Sequence, residues 1–326
     1  MIGLSVSHES WPIRGTFRIS RGSKTSAEVV VATLERDGHV GRGECVPYSR
    51  YGESVDGVMK QIDSLRDALR EDLDRTTLQH ALPTGAARNA LDCALFDLEA
   101  KTTGRSVAEL AGVPPPGPVV TAYTLSLDTP ERMREAARSH PHAPLLKLKL
   151  AGDGDMERVA AVREGAPEAR IIVDANEGWS IEQYVSYAPQ LRRLGVAMIE
   201  QPFPADADEV LADLERPVPV CADESCHDRG SLPVLGGRYD MVNIKLDKTG
   251  GLTEALALKR EATDHGLEIM IGCMLATSLA MAPALFLCDG AAVVDLDGPL
   301  LLERDRPGGL HIENTTIYPP QPDLWG

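Results

Sequence analysis

Residues Arg170 to Phe203 read RIIVDANEGWSIEQYVSYAPQLRRLGVAMIEQPF. Two short apolar runs, RIIVDAN and VAMIEQPF, flank a segment of helical character, and each run is apolar first and polar or ionisable last. The same rhythm recurs outward from this unit. Similar runs begin at Val119 (VVTAYTLSL), Leu145 (LLKLKL), Val218 (VPVCADES), Met241 (MVNIKLDK), Glu268 (EIMIGCM) and Ala291 (AAVVDLD). Helical stretches such as Met156 to Gly165 and Glu254 to Gly266 separate them. Alternating strands and helices imply a parallel sheet with helical crossovers, and eight strands at this spacing fit a closed (β/α) barrel better than an open doubly wound sheet. In such a barrel the polar ends of all the runs meet on the C-terminal rim, where active sites of this architecture lie.

Three carboxylates, Asp174, Glu200 and Asp223, end three successive runs. Carboxylate oxygens with waters suit a hard divalent cation, Mg²⁺ before zinc, which favours His or Cys. The competing reading is that each acid merely caps the following helix. The lysines speak more sharply. The chain has only eight lysines among 33 basic residues, yet Lys147, Lys149, Lys245 and Lys248 sit at two of these strand ends. Arginine does not deprotonate near neutrality, whereas a lysine beside other cations can be tuned into a general base. Lys147 and Lys149 share a strand face; the second, nearer the rim, is the candidate base and the first a supporting charge. Lys245 comes from a strand four places on, across the barrel, so the two bases address opposite faces of one carbon. Asp295 and Asp297 point to one side at the last strand, either to bind a cationic substrate group or as a solvated strand end.

Composition removes other classes. A formal net charge of −16 with no Lys/Arg block excludes a nucleic-acid partner, because phosphate neutralisation needs a basic face. With 43% hydrophobic and 25% charged residues the chain is ordinarily globular. Six cysteines without a CxxC pair argue against a disulfide framework or zinc ribbon, and Cys221, Cys226 and Cys273 read as packing residues. No secretory signal precedes the first strand, so a reducing cytoplasm is the expected setting. The uncharged stretch Ile269 to Cys288 has the length of a membrane span, but Gly272, Thr277-Ser278 and Pro283 resolve it into a strand, a turn and a buried helix.

Residues 1–117 behave differently. Ser26 to Glu35 and Gly38 to Glu44 suggest a hairpin, and Val55 to Glu71 and Ala86 to Lys101 carry helical spacing. The PPPGP of Pro114 to Pro118 then bounds this region.

These residues, in this order, resemble the enolase superfamily, specifically its muconate-lactonizing subgroup. The resemblance rests on KLK (Lys147 to Lys149), DANEGW, IEQP, ADES and NIKLDKTGG in the barrel, and on LPTGAARNALDCALFDLEAKTTGRSVAELAG (Leu82 to Gly112) before it. It implies an α/β fold with a (β/α)7β TIM-like barrel over 118–299, under an α+β capping domain of 1–117 completed by the tail 300–326. It further implies one Mg²⁺ per subunit on Asp174, Glu200 and Asp223, acid/base lysines Lys149 and Lys245, and a homo-oligomer. Within the subgroup the chain looks most like dipeptide epimerases, which invert a dipeptide's C-terminal α-carbon through an enediolate; there Asp295 and Asp297 receive the free ammonium. Side-chain selection then falls to the cap loops, with Arg18 and Arg21, to Tyr48 and Tyr51 in ECVPYSRYGES (Glu44 to Ser54), and to Met274. Racemisation of N-acyl amino acids such as N-acetylglutamate is the close alternative. o-Succinylbenzoate synthesis, muconate cycloisomerisation and a non-catalytic binding protein are more distant ones.

Overall fold

The computed structural model describes residues 1–326. The chain opens with a three-stranded antiparallel sheet of β1 (Gly3–Ile19), β2 (Gly22–Arg36) and β3 (His39–Cys45), ordered β1-β2-β3. The expected hairpin is β2–β3. The seventeen-residue β1 has no counterpart in the sequence reading, because its apolar residues are interrupted by His8, Glu9, Ser10 and Arg14 and by Pro12, near which the register shifts. As an edge strand it tolerates both. The helical stretch expected over Val55 to Glu71 is two helices, Val55–Asp63 and Arg66–Arg70, with Ser64 and Leu65 between them.

Helix Ala86–Thr103 is buried on nearly every side. On one flank it lies against β3, where Gly41 and Gly43 make room: a Cβ at Gly43 would sit 2.0 Å from Ala90 O. On the other it reaches the barrel, Arg88 Nη2 donating to Thr249 O at 2.7 Å and Asn89 Nδ2 to Asp247 Oδ1 at 2.8 Å.

The run expected as one strand from Val119 divides. β4 (Val119–Val120) pairs antiparallel with a tail strand, in a small sheet ordered β13-β14-β4 with β13 (Ile312–Glu313) and β14 (Thr316–Ile317). The barrel strand is β5 (Tyr123–Leu125). Thr121 makes the transfer: its N–H goes to Thr315 O at 2.8 Å and its Oγ1 accepts from Leu296 N at 2.7 Å. The tail then ends against the cap helix, Trp325 Nε1 donating to Cys93 O at 3.1 Å.

Seven strands follow β5: β6 (Leu145–Lys149), β7 (Arg170–Asp174), β8 (Val196–Glu200), β9 (Val220–Ala222), β10 (Met241–Ile244), β11 (Glu268–Gly272) and β12 (Val293–Asp295). They pair in parallel in chain order, and Ala122 N donates to Val294 O at 2.8 Å to close the ring. The uncharged stretch is β11, a loop, helix Ser278–Ala284 and a 3-10 turn, and no helix is long and apolar enough to cross a membrane.

Outward side chains such as Leu146, Ile171, Ile199, Val242 and Ile271 join the large core under the helices. Inward ones stack in layers. The lowest layer is an isolated apolar cluster with one residue per stave: Ala122, Leu145, Ile172, Met198, Cys221, Met241, Met270 and Val293. Fully burying a Met or Ile stabilises by about 1.5–3 kcal/mol, so this plug anchors the barrel floor. Side chains alternate along a strand, and the next inward position is two residues on. That arithmetic gives Thr124, Lys147, Asp174, Glu200, Asp223, Asn243, Gly272 and Asp295. The barrel therefore passes from an apolar floor to a polar layer in one step, and the chemistry begins there.

Candidate active site

Every side chain of that polar layer is buried. Lys147 Nζ lies among the acids, 2.7 Å from Glu200 Oε2, 2.8 Å from Asp295 Oδ2 and 3.3 Å from Asp174 Oδ2. Burial alone would lower its ammonium, but Asp295, Glu200 and Asp174 hold it well above the ordinary lysine value. One inward position higher, Lys149 Nζ meets Asp174 Oδ2 at 2.6 Å. Lys245 Nζ meets Asp223 Oδ2, also at 2.6 Å, from the far side of the ring. Against the pull of burial, Asp223 and Glu200 keep Lys245 well above its ordinary value.

The carboxylates differ. Burial opposes ionisation of Asp174, yet Lys149 and Lys147 hold it down to about 2. Glu200 is pushed up to about 7 by burial and by the charge of Asp174. Asn243 Nδ2 donates to Glu200 Oε1 at 2.8 Å, and Gly272 leaves room for that amide: a Cβ there would lie 2.4 Å from Asn243 Oδ1. A buried ionic layer of this kind costs desolvation and is weak evidence for stability, so its purpose lies in what it binds.

A cavity of about 380 Å³ opens above the layer, roofed by the cap. Lys147, Lys149, Lys245, Asp223, Asp295 and Asp297 line its floor and sides. Asp297 accepts from Thr124 N at 2.6 Å, and its carboxyl is pushed up to about 7 by burial and by Asp295. Arg21, Tyr48, Tyr51 and Met274 line the cavity. Arg18 does not: Phe17 and Ile19 face inward and Arg18 points to the opposite, exposed side of the strand. Arg21 is already engaged, donating to Asn176 O at 2.8 Å, Glu224 Oε1 at 2.7 Å, Glu177 Oε2 at 3.0 Å and Tyr48 OH at 3.2 Å. Lys248 is engaged too, donating to Asp223 Oδ1 at 2.6 Å and Asn243 O at 2.9 Å.

Sequence reasoning missed Lys24. It lines the cavity with its Nζ 5.3 Å from the centre of the Tyr48 ring, and its ammonium forms no ion pair or hydrogen bond within the chain. Its signal was available, since it is one of only eight lysines and lies three residues beyond Arg21. Asn243 and Glu224 were also missed, although Asn243 follows from the two-residue step up from Met241.

The donor set suits a divalent cation. Asp174, Glu200 and Asp223 offer only oxygens from adjacent staves, and the buried Glu200 Oε2 has no hydrogen-bond partner of good geometry. Their oxygens turn to the lysine ammoniums and do not converge on one point, so a cation and the ammoniums compete for them.

Residues 1–112 match the family described as "Mandelate racemase / muconate lactonizing enzyme, N-terminal domain", and residues 130–322 match "Enolase C-terminal domain-like". The L-Ala-D/L-Glu epimerase of Escherichia coli is 50% identical over 304 residues, covering 93% of this chain and 95% of that protein. An N-acetyl-D-glutamate racemase of a Pseudoalteromonas species is 45% identical over 301 residues, covering 91% and 95%. Among solved structures, an enolase family member from Agrobacterium tumefaciens with homology to dipeptide epimerases, holding sodium and L-Ala-L-Glu, superposes with a TM-score of 0.98 at 50% identity over the whole of both chains. With both family descriptions matched in order on a ring that carries its polar layer on the C-terminal side, the chain belongs to the mandelate racemase/muconate lactonizing enzyme family of the enolase superfamily.

Proposed function

We propose that this protein is a Mg²⁺-dependent dipeptide epimerase that inverts the α-carbon of the C-terminal residue of Ala-Glu or a similar dipeptide by two-base proton transfer. The observation that carries the reading is one cavity holding two lysines on opposite staves, a pair of acids at one wall and an unpaired cation in the lining. Lys149 stands on one face of a bound α-carbon and Lys245 on the other. The neutral lysine removes the α-proton, and the opposite ammonium returns a proton to the other face; exchanging the roles runs the reaction backwards. Asp174, Glu200 and Asp223 would hold Mg²⁺, whose positive charge would offset these acids, relieve the pull that keeps the lysines protonated and balance the charge building on the substrate carboxylate as the proton leaves. Lys147 adds a fixed positive charge beneath the same carboxylate. Asp295 and Asp297 hold the substrate ammonium, and their proximity to each other favours a cationic partner. Lys24, not Arg18 or Arg21, takes the distal carboxylate of a glutamyl side chain, because the other cations that the cap brings to the lining, Arg21 and Arg50, are already spent on protein partners.

Several curated relatives are epimerases of L-Ala dipeptides, which supports this substrate class. The N-acetylglutamate alternative shares the lysines and the distal carboxylate but leaves Asp295 and Asp297 without an ammonium. Six free cysteines suit a reducing, cytoplasmic setting. The test is incubation of L-Ala-L-Glu with enzyme and Mg²⁺ in D₂O. Deuterium at the glutamyl α-carbon together with the second diastereomer is the expected result; turnover confined to N-acyl amino acids would overturn the dipeptide reading.

A further inference from the structure

Asp247 lies two residues beyond Lys245 and outside the polar layer, on the short helix Leu246–Thr249. It is 7% exposed, and its Oδ1 accepts two hydrogen bonds, both from the cap: Val46 N at 2.9 Å and Asn89 Nδ2 at 2.8 Å. β3 ends at Cys45, so the Val46 N–H is the first beyond the sheet and, being buried, needs a partner. The barrel supplies it. From Val46 the chain runs directly into the segment whose Val46, Tyr48 and Tyr51 wall the cavity. The segment's other anchors lie within the cap or on a different stave: Glu53 Oε2 accepts from Tyr48 N at 2.9 Å, Glu53 Oε1 accepts from Ala86 N at 2.8 Å, the Tyr48 hydroxyl accepts from Arg21, and Arg50 donates to Glu177, beyond β7, at 2.7 and 2.9 Å. Asp247 alone among these anchors belongs to the stretch of chain that bears Lys245.

We propose that Asp247 is a positioning residue, holding the cap segment Val46–Tyr51 at a fixed height over the Lys245 side of the cavity through its hydrogen bonds to Val46 and Asn89. The inference rests on the epimerase reading for its kinetic consequence, but not for its structural one. The acceptor oxygen carries the effect, and the negative charge does not, because neither partner is ionised. Asparagine keeps that oxygen. Alanine removes it and leaves a buried Val46 N–H without a partner.

Two measurements on the full-length protein test this. In hydrogen–deuterium exchange, Asp247→Ala speeds exchange of the Val46–Tyr51 amides by at least about tenfold while those of β7 and β8 keep their rates. In kinetics with L-Ala-L-Glu, it raises KM about tenfold with kcat held within about twofold, the pattern of lost wall contacts. Asp247→Asn restores both to near wild type, and Asp247→Ser, too short to reach Val46, behaves as alanine if the alanine variant folds poorly. Unchanged exchange at Val46–Tyr51 in the alanine and serine variants overturns the proposal. So does a lower melting temperature with KM unchanged, or an asparagine variant as impaired as alanine. If wild type turns over no dipeptide, the epimerase reading fails and the exchange result alone judges Asp247.

Discussion

Lys149 and Lys245 stand across the barrel from each other, on or just beyond β6 and β10, four places apart in the strand order, each 2.6 Å from a different carboxylate, Asp174 and Asp223. In the proposed assignment, a base on each face makes inversion a relay in which neither lysine suffices. Lys149→Ala and Lys245→Ala should each lower epimerisation by about 10²–10⁴-fold. Because kcat/KM in the two directions is tied by the equilibrium constant, steady-state rates cannot say which lysine serves which face. Isotope exchange can. Each variant should still wash deuterium into one diastereomer without inverting it, and the two variants should differ in which one; exchange of both diastereomers by either variant would refute the assignment.

Lys24 should set the preference for an acidic side chain. A charge-assisted hydrogen bond contributes about 1.5–3 kcal/mol, so Lys24→Ala should lower kcat/KM for L-Ala-L-Glu about 10–100-fold. Dipeptides with an uncharged second residue should be nearly unaffected. Lys24→Glu should go further and favour a basic second residue. Equal losses on Ala-Glu and an uncharged dipeptide would show that Lys24 supports the loop and does not read the substrate.

How much of this was legible in the sequence follows from periodicity. The barrel was, because each strand is a short apolar run ending in polar residues, and the inward layer follows from stepping two residues at a time. Asp174, Glu200, Asp223, Lys147 and Asp295 lie on that layer, and Lys149 lies one inward step above Lys147. The cap loops were not, since nothing in RISRGSK indicates which side chain the strand turns inward. One residue of alternation separates Arg18, on the outer face, from Phe17 and Ile19, which line the cavity. The division of the Val119 run was hidden as well, because its partner, β14, lies nearly two hundred residues away in the tail.

Asp92 gives the cap helix a pH signature away from the active site. It is fully buried, accepting from Thr253 N at 2.9 Å and Thr253 Oγ1 at 2.7 Å. Burial raises its carboxyl from the ordinary 3.8 to about 6, and the Thr253 hydrogen bonds offset only part of that. A carboxyl with a raised folded value holds its proton more tightly folded than unfolded. Its stabilising contribution is therefore complete below about pH 4 and lost as pH rises through about 6, a change of about 3 kcal/mol. Asp92→Asn should flatten the fall in melting temperature across that window relative to wild type. Parallel profiles for the two proteins would show that Asp92 ionises normally.

Competition between ammonium and metal for the same carboxylates gives the last prediction. Chelation should abolish turnover and Mg²⁺ should restore it. Calorimetry on the protein without substrate should find Mg²⁺ bound at least about 100-fold more weakly by Asp174→Asn or Asp223→Asn, each of which removes a charged oxygen donor. Lys245→Ala should do the reverse. Its ammonium is 2.6 Å from Asp223 Oδ2, so a cation arriving there must displace it or share the oxygen with it. Removing that positive charge removes both the competitor and the repulsion, and at an effective dielectric of about 20 a unit charge several ångströms away is worth about 2 kcal/mol or more. The alanine variant should therefore bind Mg²⁺ more tightly while losing epimerisation, which separates metal holding from proton transfer. Weaker Mg²⁺ binding by Lys245→Ala would mean that the lysine organises the carboxylates for the metal and does not compete with it.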